Sequence, residues 1–264
     1  MSRTLRDDLG VPVAVPEEVR RVVSLVPSLT EAVAVSTPGR LVGATDWCTH
    51  PADLDVTRVR GTKNPDRAAV TALAPDLVIA NQEENRQLDV QRLRADGVPV
   101  WVTVTESVPQ ALASLRRLLV TVLRGPEPEW LLAAEHAWSV PAPATRTAVV
   151  PVWRDPWMVV GARTFTGDVL ARLGVGNALA EHPERYPHVD PTEVPDVDLV
   201  VLPDEPYAFT PDDGPEAFPD VDVALVSGRL LTWYGPSLAT ARDELTAQLA
   251  ARRPGRSWAA GRPS

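Results

Sequence analysis

Short apolar runs alternate with stretches of helical periodicity along this chain, and the alternation restarts after one segment, Pro128–Ser139 (PEWLLAAEHAWS). In that segment Leu131, Leu132, Ala134, Glu135 and Trp138 recur at helical spacing; Pro128 suits a first turn, and Pro141 and Pro143 close the helix. Parallel strands can be joined only through a crossover, usually a helix, so strand and helix signals in alternation commit a chain to βαβ units. The expected fold is α/β, with two lobes built on parallel sheets and joined by a single backbone helix.

The strand signals of the first half are Arg21–Val26, Leu41–Thr45, Leu77–Ala80 and Val98–Val104. Those of the second are Ala148–Trp153, Asp198–Leu202, Val223–Val226 and a short Leu230–Thr232. Ser28 and Glu31 have capping-box spacing just after the first strand, and Thr166 is placed to cap a helix running through Leu173. Further helices are expected over about 107–124 and about 237–252. Leu77–Ala80 after Pro75-Asp76 echoes Leu199–Leu202 after Pro195-Asp196, which suggests a quasi-repeat of fold. Residues 1–19 have no periodic core pattern and read as a loosely held lead-in, and a polar tail closes the chain. The expected organisation is a Rossmann-like N-terminal lobe over 20–105, a helical connector over 106–145, and a Rossmann-like C-terminal lobe with a closing helix over 146–252.

Composition removes several classes of function. With 264 residues and 44% apolar content the chain can bury two cores, yet no run approaches the ~18–20 apolar residues of a membrane span, so no membrane insertion is expected. A formal charge of −9 gives no electrostatic ground for binding nucleic acid. The single cysteine, Cys48, allows neither an internal disulfide nor a thiolate metal cluster. No G-x-S-x-G, G-x-x-x-x-G-K-[ST], G-x-G-x-x-G or H-E-x-x-H motif is present, and no enzyme activity is expected. The opening carries Asp7, Asp8, Glu17 and Glu18 where a signal peptide would place its apolar region, which predicts a cytoplasmic location for the chain as written.

What remains is a binding chemistry. Ligands in open parallel sheets sit outside the carboxyl ends of the strands. The segments following the predicted strands hold Trp47, Trp153, Trp157, Tyr207, Phe209, Trp233 and Tyr234, half of the 14 aromatic residues of the chain. Flat apolar walls with few charges suit a bulky, partly apolar ligand, although rings in such places also plug loop bases against the core. Glu83 and Glu84 in the loop Gln82–Arg86 are candidates to hold a ligand's polar groups, and Asp66 reads as a helix cap. An alternative reading is a cytosolic protein that binds or delivers a metal ion through Asp46, Cys48 and His50, with His188 or Glu83 completing the set.

Four segments in order carry a resemblance to a family: Arg21–Glu31 (RVVSLVPSLTE), Leu41–Gly43, Gly61–Asp66 (GTKNPD) and Leu73–Ala80 (LAPDLVIA). They are similar to the helical-backbone (class III) substrate-binding proteins of ABC importers, the class that carries cobalamin, iron–siderophores and haem. Trp153–Met158 (WRDPWM) and Trp233–Pro236 (WYGP) resemble its cobalamin-binding branch. The resemblance implies the periplasmic-binding-protein fold with a corrinoid or related metal chelate clamped non-covalently between the lobes, no covalent cofactor and no catalysis. It matches Trp47 to a position whose ring faces the corrinoid and implies an ABC permease as partner; with the strand-end residues read above, the expected ligand-binding set is Trp47, Glu83, Trp153, Trp157, Tyr207, Trp233 and Tyr234. It further implies Asp66 and Glu193 as acids that dock on that permease, a monomer, and an extracytoplasmic location if the true start lies upstream.

Overall fold

The computed structural model describes residues 2–252 and 255. It divides into two compact units. The first holds the chain up to Thr105, Pro109–Leu132 and Tyr234–Pro236; the second holds Glu106–Val108, Ala133–Trp233 and the chain from Ser237.

In the first unit a hairpin, β1 (Ser2–Arg6) and β2 (Pro12–Pro16), precedes β3 (Val22–Ser24), α1 (Pro27–Ser36), β4 (Leu41–Ala44) and β5 (Thr57–Arg58). A two-stranded ribbon, β6 (Arg60–Gly61) and β7 (Asn64–Pro65), leads into α2 (Arg67–Ala72), β8 (Leu77–Asn81), α3 (Gln87–Ala95) and β9 (Val100–Thr103). The main sheet runs β5-β4-β3-β8-β9 with every pairing parallel. All five residues of β8, an interior strand of this sheet, are buried, the continuous run of a strand covered on both faces. Val70 of α2 with Val90 and Leu93 of α3 belong to the same core cluster as Val23, Val78, Ala80, Val100 and Val102 of the strands.

Two expectations for this unit are overturned. The opening residues are not a loose lead-in. Asp7, its side chain 0% exposed, accepts from Leu9 N and Val11 N and pairs with Arg94 at 2.6 Å. Asp8 accepts from Val104 N at 3.2 Å and pairs with Arg117 at 3.0 Å, and its N–H donates to Val102 O. The turn of the hairpin is thereby tied to the edge strand β9 and to the residue that follows it. Nor do Ser28 and Glu31 form a capping box. The helix starts at Pro27 behind Val26, which makes no side-chain cap. Proline has no N–H to satisfy and a preset φ, so the helix begins without the serine.

A helix α4 (Val108–Arg116) continues as a π-helical stretch, Arg117–Val122, and α5 (Glu129–Ala137) follows. The residues of α5 through Leu132 belong to the first unit and those from Ala133 to the second, so the main passage of the chain between them lies within this helix. Beyond it come β10 (Arg146–Val149), β11 (Pro151–Trp153), β12 (Met158–Val159), α6 (Phe165–Arg172) and β13 (Val175–Asn177). The chain continues through β14 (Leu199–Pro203), β15 (Val223–Val226), α7 (Gly228–Thr232) and α8 (Leu238–Ala250). The second sheet runs β13-β10-β14-β15, again parallel throughout. The fold is α/β, two units each on a parallel sheet, joined through a backbone helix.

Three local expectations shift here. The run Ala148–Trp153 is two pieces, because Pro151 cannot donate to the ladder and the chain leaves the sheet to pair with β12. The cap of α6 is Thr164, whose Oγ1 accepts from Gly167 N at 3.1 Å, while Thr166 is buried inside the helix. Leu230–Thr232 is helical, in α7, opened by Ser227 accepting from Leu230 N. The polar tail beyond Arg252 lies outside the described residues, Gly255 excepted.

The quasi-repeat is present, two residues later in the second half than the sequence pairing proposes. Asp76, just before β8, accepts from Arg20 N and Arg21 N at 2.7 and 2.8 Å and so clips the start of β3. Asp198, just before β14, accepts from Thr147 N at 2.7 Å and clips β10 in the same way. Thus Asp198, not Asp196, is the counterpart of Asp76.

Candidate functional site

Every strand of each sheet points the same way, so each unit has one edge where all carboxyl ends emerge. In the first unit Thr45–Pro51 leaves β4, Gln82–Arg86 leaves β8, and Val104 and Thr105 leave β9. Trp47 stands out, 66% exposed, its indole Nε1 3.4 Å from where a Cβ on Gly61 would sit. Behind it the loop is anchored: Arg58 donates to Thr45 O at 3.0 Å and Cys48 O at 2.8 Å. Cys48 itself is 0% exposed, with Thr30 Oγ1 donating to its sulfur at 3.0 Å and Thr45 Oγ1 hydrogen-bonded to it at 3.1 Å. Burial pushes its thiol pKa up, so it is held as a neutral core group.

That geometry does not favour the metal-ion alternative. Cys48 is interior while Asp46 is exposed, His50 meets Thr49 Oγ1 at 3.1 Å, and His188 belongs to the second unit. Among the described residues no group of three His, Cys, Asp or Glu is placed to hold a metal ion. Closeness in sequence misled, because the chain turns sharply here and a small buried thiol behaves as a hydrophobe.

The loop after β8 is built on two buried asparagines that sequence reasoning missed. Asn81 Nδ2 donates to Thr103 and Thr105, and its Oδ1 accepts from Glu83 N at 2.8 Å. Asn85 Oδ1 accepts from Asn81 N, and its Nδ2 donates to Leu25 O and Thr62 O, tying three loops together. The readable signal was Asn at both ends of an acidic loop, a residue that satisfies backbone groups locally. Lys63 Nζ donates to the Glu83 carbonyl at 2.5 Å, and burial lowers its pKa against the opposing pull of Glu84 and Glu83. Glu84 takes the phenol of Tyr234 at 2.7 Å. Tyr234 is 5% exposed, and burial followed by the Glu84 charge raises its pKa well above the usual value.

In the second unit four of the expected aromatic residues come together at the corresponding edge. Trp157 stacks on Phe209 at 5.8 Å and meets Phe218 edge-on at 5.4 Å; Tyr207 lies 4.7 Å from Phe209 and 5.8 Å from Trp153. Arg154 sits over the Trp157 ring at 5.2 Å and is bound by Asp213 and Glu216. Tyr207 donates to Asp213 at 2.7 Å, and that bond, ahead of burial, raises its pKa. Phe209 and Phe218 are interior, and Trp153, 44% exposed, is the most open ring of the group. Trp233 is separate from this block, half-buried beside Arg229, whose guanidinium is 5.4 Å from its ring. Asp66 caps α2 through Ala69 N and pairs with Arg60 at 3.7 Å, and Glu193 is exposed on the short turn Pro191–Glu193.

No protein-family model matches the chain. The chain is 24% identical over 261 residues, 91% of its own length and 92% of the relative's, to the vitamin B12-binding protein of Pectobacterium carotovorum subsp. carotovorum (strain PC1). Its fold is similar to the periplasmic vitamin B12 binding protein BtuF of Vibrio cholerae, with TM-score 0.68, 17% identity and coverage of 88% of this chain and 97% of that one. It is also similar to the periplasmic heme-binding protein RhuT of Roseiflexus sp. RS-1, with TM-score 0.68, 18% identity and coverage of 88% and 98%. Sequence similarity to a vitamin B12-binding protein thus runs through nine tenths of the chain, and the fold beneath it is similar to that of periplasmic binding proteins for vitamin B12 and heme.

Proposed function

We propose that the chain is a non-catalytic binding protein for a corrinoid or a closely related metal chelate, taken up non-covalently by the aromatic residues at the carboxyl edges of its two sheets. The observation that carries this reading is the near full-length similarity to a vitamin B12-binding protein. The site chemistry supports it. Trp47 at 66% exposure and Trp153 at 44% present indole faces, and flat apolar rings suit a broad, largely uncharged ligand. Trp157, Tyr207, Trp233 and Tyr234 back those faces or complete them, and Glu83 supplies a polar contact. In the same reading an ABC permease is the partner, a monomer is the working form, and Asp66 and Glu193 are its docking acids.

Titration of the purified protein with cyanocobalamin, cobinamide and haemin, followed by tryptophan emission and melting temperature, tests this. Saturable quenching with a stabilising shift is expected for the corrinoids. If none of the three quenches or stabilises at high micromolar concentration, the reading fails. If haemin alone does, the corrinoid assignment is wrong.

A further inference from the structure

Trp233 is held more firmly than a half-buried loop residue needs to be. Its N–H donates to Arg229 O at 3.0 Å, closing α7, and the Arg229 guanidinium lies 5.4 Å from its ring. The indole N–H hydrogen-bonds to the carboxyl of Glu205, two residues past the end of β14. Glu205 has little freedom of its own. A Cβ on Gly228 would lie 2.6 Å from Glu205 O and 2.7 Å from Glu205 N, and would strike its Cγ. Gly228 is fixed in turn by its N–H donating to Asp204 Oδ1 at 2.6 Å. Glu205 Oε1 is buried and has no hydrogen-bond partner among the described residues. A surface loop does not bury a carboxyl this way without a reason, since the cost of an unsatisfied polar oxygen is large.

Taking Trp233 as part of the ligand-binding set, as proposed above, we infer that Glu205 is a positioning residue. It orients the Trp233 indole through the ring N–H, and it makes that orientation depend on its own ionisation. The carboxylate accepts the indole hydrogen bond strongly and the neutral acid weakly. Burial first, then the neighbouring Asp204, raises the Glu205 pKa, while Arg229 and the indole N–H pull it the other way. The indole is thus held most rigidly above the titration of Glu205 and is released below it.

The test has two arms. In the ligand-free protein, tryptophan emission is followed from about pH 4 to about pH 8, a range that brackets an upward-shifted carboxyl. The wild type is compared with Glu205→Gln and Trp233→Phe. A pH-dependent step in the wild type that is missing from both variants is expected. A step that survives in either variant, or no step in the wild type, overturns the inference. In the second arm cyanocobalamin is the probe. Glu205→Ala is expected to weaken binding about tenfold, and Glu205→Gln, which keeps an acceptor oxygen, less than about threefold. An alanine variant that binds like the wild type overturns it. If the wild type binds no cyanocobalamin, the proposed function fails, and the first arm still decides whether Glu205 governs the indole.

Discussion

Replacing Asp7 with alanine tests the hairpin at its most concentrated point. The side chain is 0% exposed; its Oδ1 accepts from Leu9 N at 3.0 Å and Val11 N at 2.9 Å, and its Oδ2 meets Arg94 at 2.6 Å. Hydrogen bonds to a charged group contribute about 1.5–3 kcal/mol each. The contribution falls below that range here, to about 1 kcal/mol apiece, because Leu9 is 45% exposed and water can replace the carboxylate at the turn. Arg94 is 26% exposed, so solvent screening limits the ion pair to about 1 kcal/mol. The total is about 3 kcal/mol. At roughly 2–4 °C per kcal/mol for a unit in a chain of this size, the melting temperature of the first unit should fall by about 6–12 °C. Asp7→Asn keeps the Oδ1 acceptor and loses only the pair, so a fall of about 2–4 °C is expected. Circular dichroism melts of the three proteins decide. An alanine variant within about 1 °C of wild type would refute the reasoning, and an asparagine variant as damaged as alanine would show that the ion pair, not the turn, carries the effect.

Other expectations follow from burial and charge. Cys48 should react with a thiol reagent at less than about a hundredth of the rate of an exposed thiol until the protein unfolds, and rapid native labelling would contradict its place between Thr30 and Thr45. Trp157→Ala should cost about 2–4 kcal/mol in urea unfolding through lost packing on Phe209 and Phe218, whereas Trp153→Ala should cost under about 1 kcal/mol and act on ligand quenching instead. Glu205→Gln should be stabilised relative to wild type at neutral pH and not in acid. The folded carboxyl has a raised pKa, so its stabilising neutral form is fully present below the unfolded value and is lost as pH rises through the folded one. Equal melting shifts at both pH values would count against that assignment.

The parallel sheets were legible because β8 and β14 are buried at every position, which leaves unbroken apolar runs in the sequence. The hairpin was not. In β1 no residue is buried, and in β2 only two are, so the segment carries no periodic core pattern; it is held instead by Asp7, Asp8, Arg94 and Arg117, whose pairings join residues far apart in the chain. The same limit explains the shifted repeat. A Pro-Asp pair is visible in sequence, but which aspartate clips the neighbouring strand depends on register, and register placed Asp198 rather than Asp196 beside Thr147. At the candidate site the rings could be picked out by position after strands, yet their partition into exposed and packed could not. Phe218 entered the aromatic block without any strand before it to announce it.

That partition is what gives the aromatic residues separate work. A ring stacked on other rings has spent its apolar surface within the protein, and its removal is felt in folding. An indole left 66% or 44% open, as Trp47 and Trp153 are, keeps surface that another apolar body can still cover. A single exposed apolar side chain means little, and Leu9, Val35, Leu88, Leu132 and Val140 are exposed to similar extents without comment. The two tryptophans differ from these in place. Trp47 follows β4 of a parallel sheet, and Trp153 ends β11, the segment that leaves the second parallel sheet just past β10; each is backed, Arg58 holding the loop of the one and the Tyr207 ring packing edge-on against the other. A rigid exposed ring loses little entropy when it is covered, and that property, more than the count of aromatics, makes these two positions fit for binding.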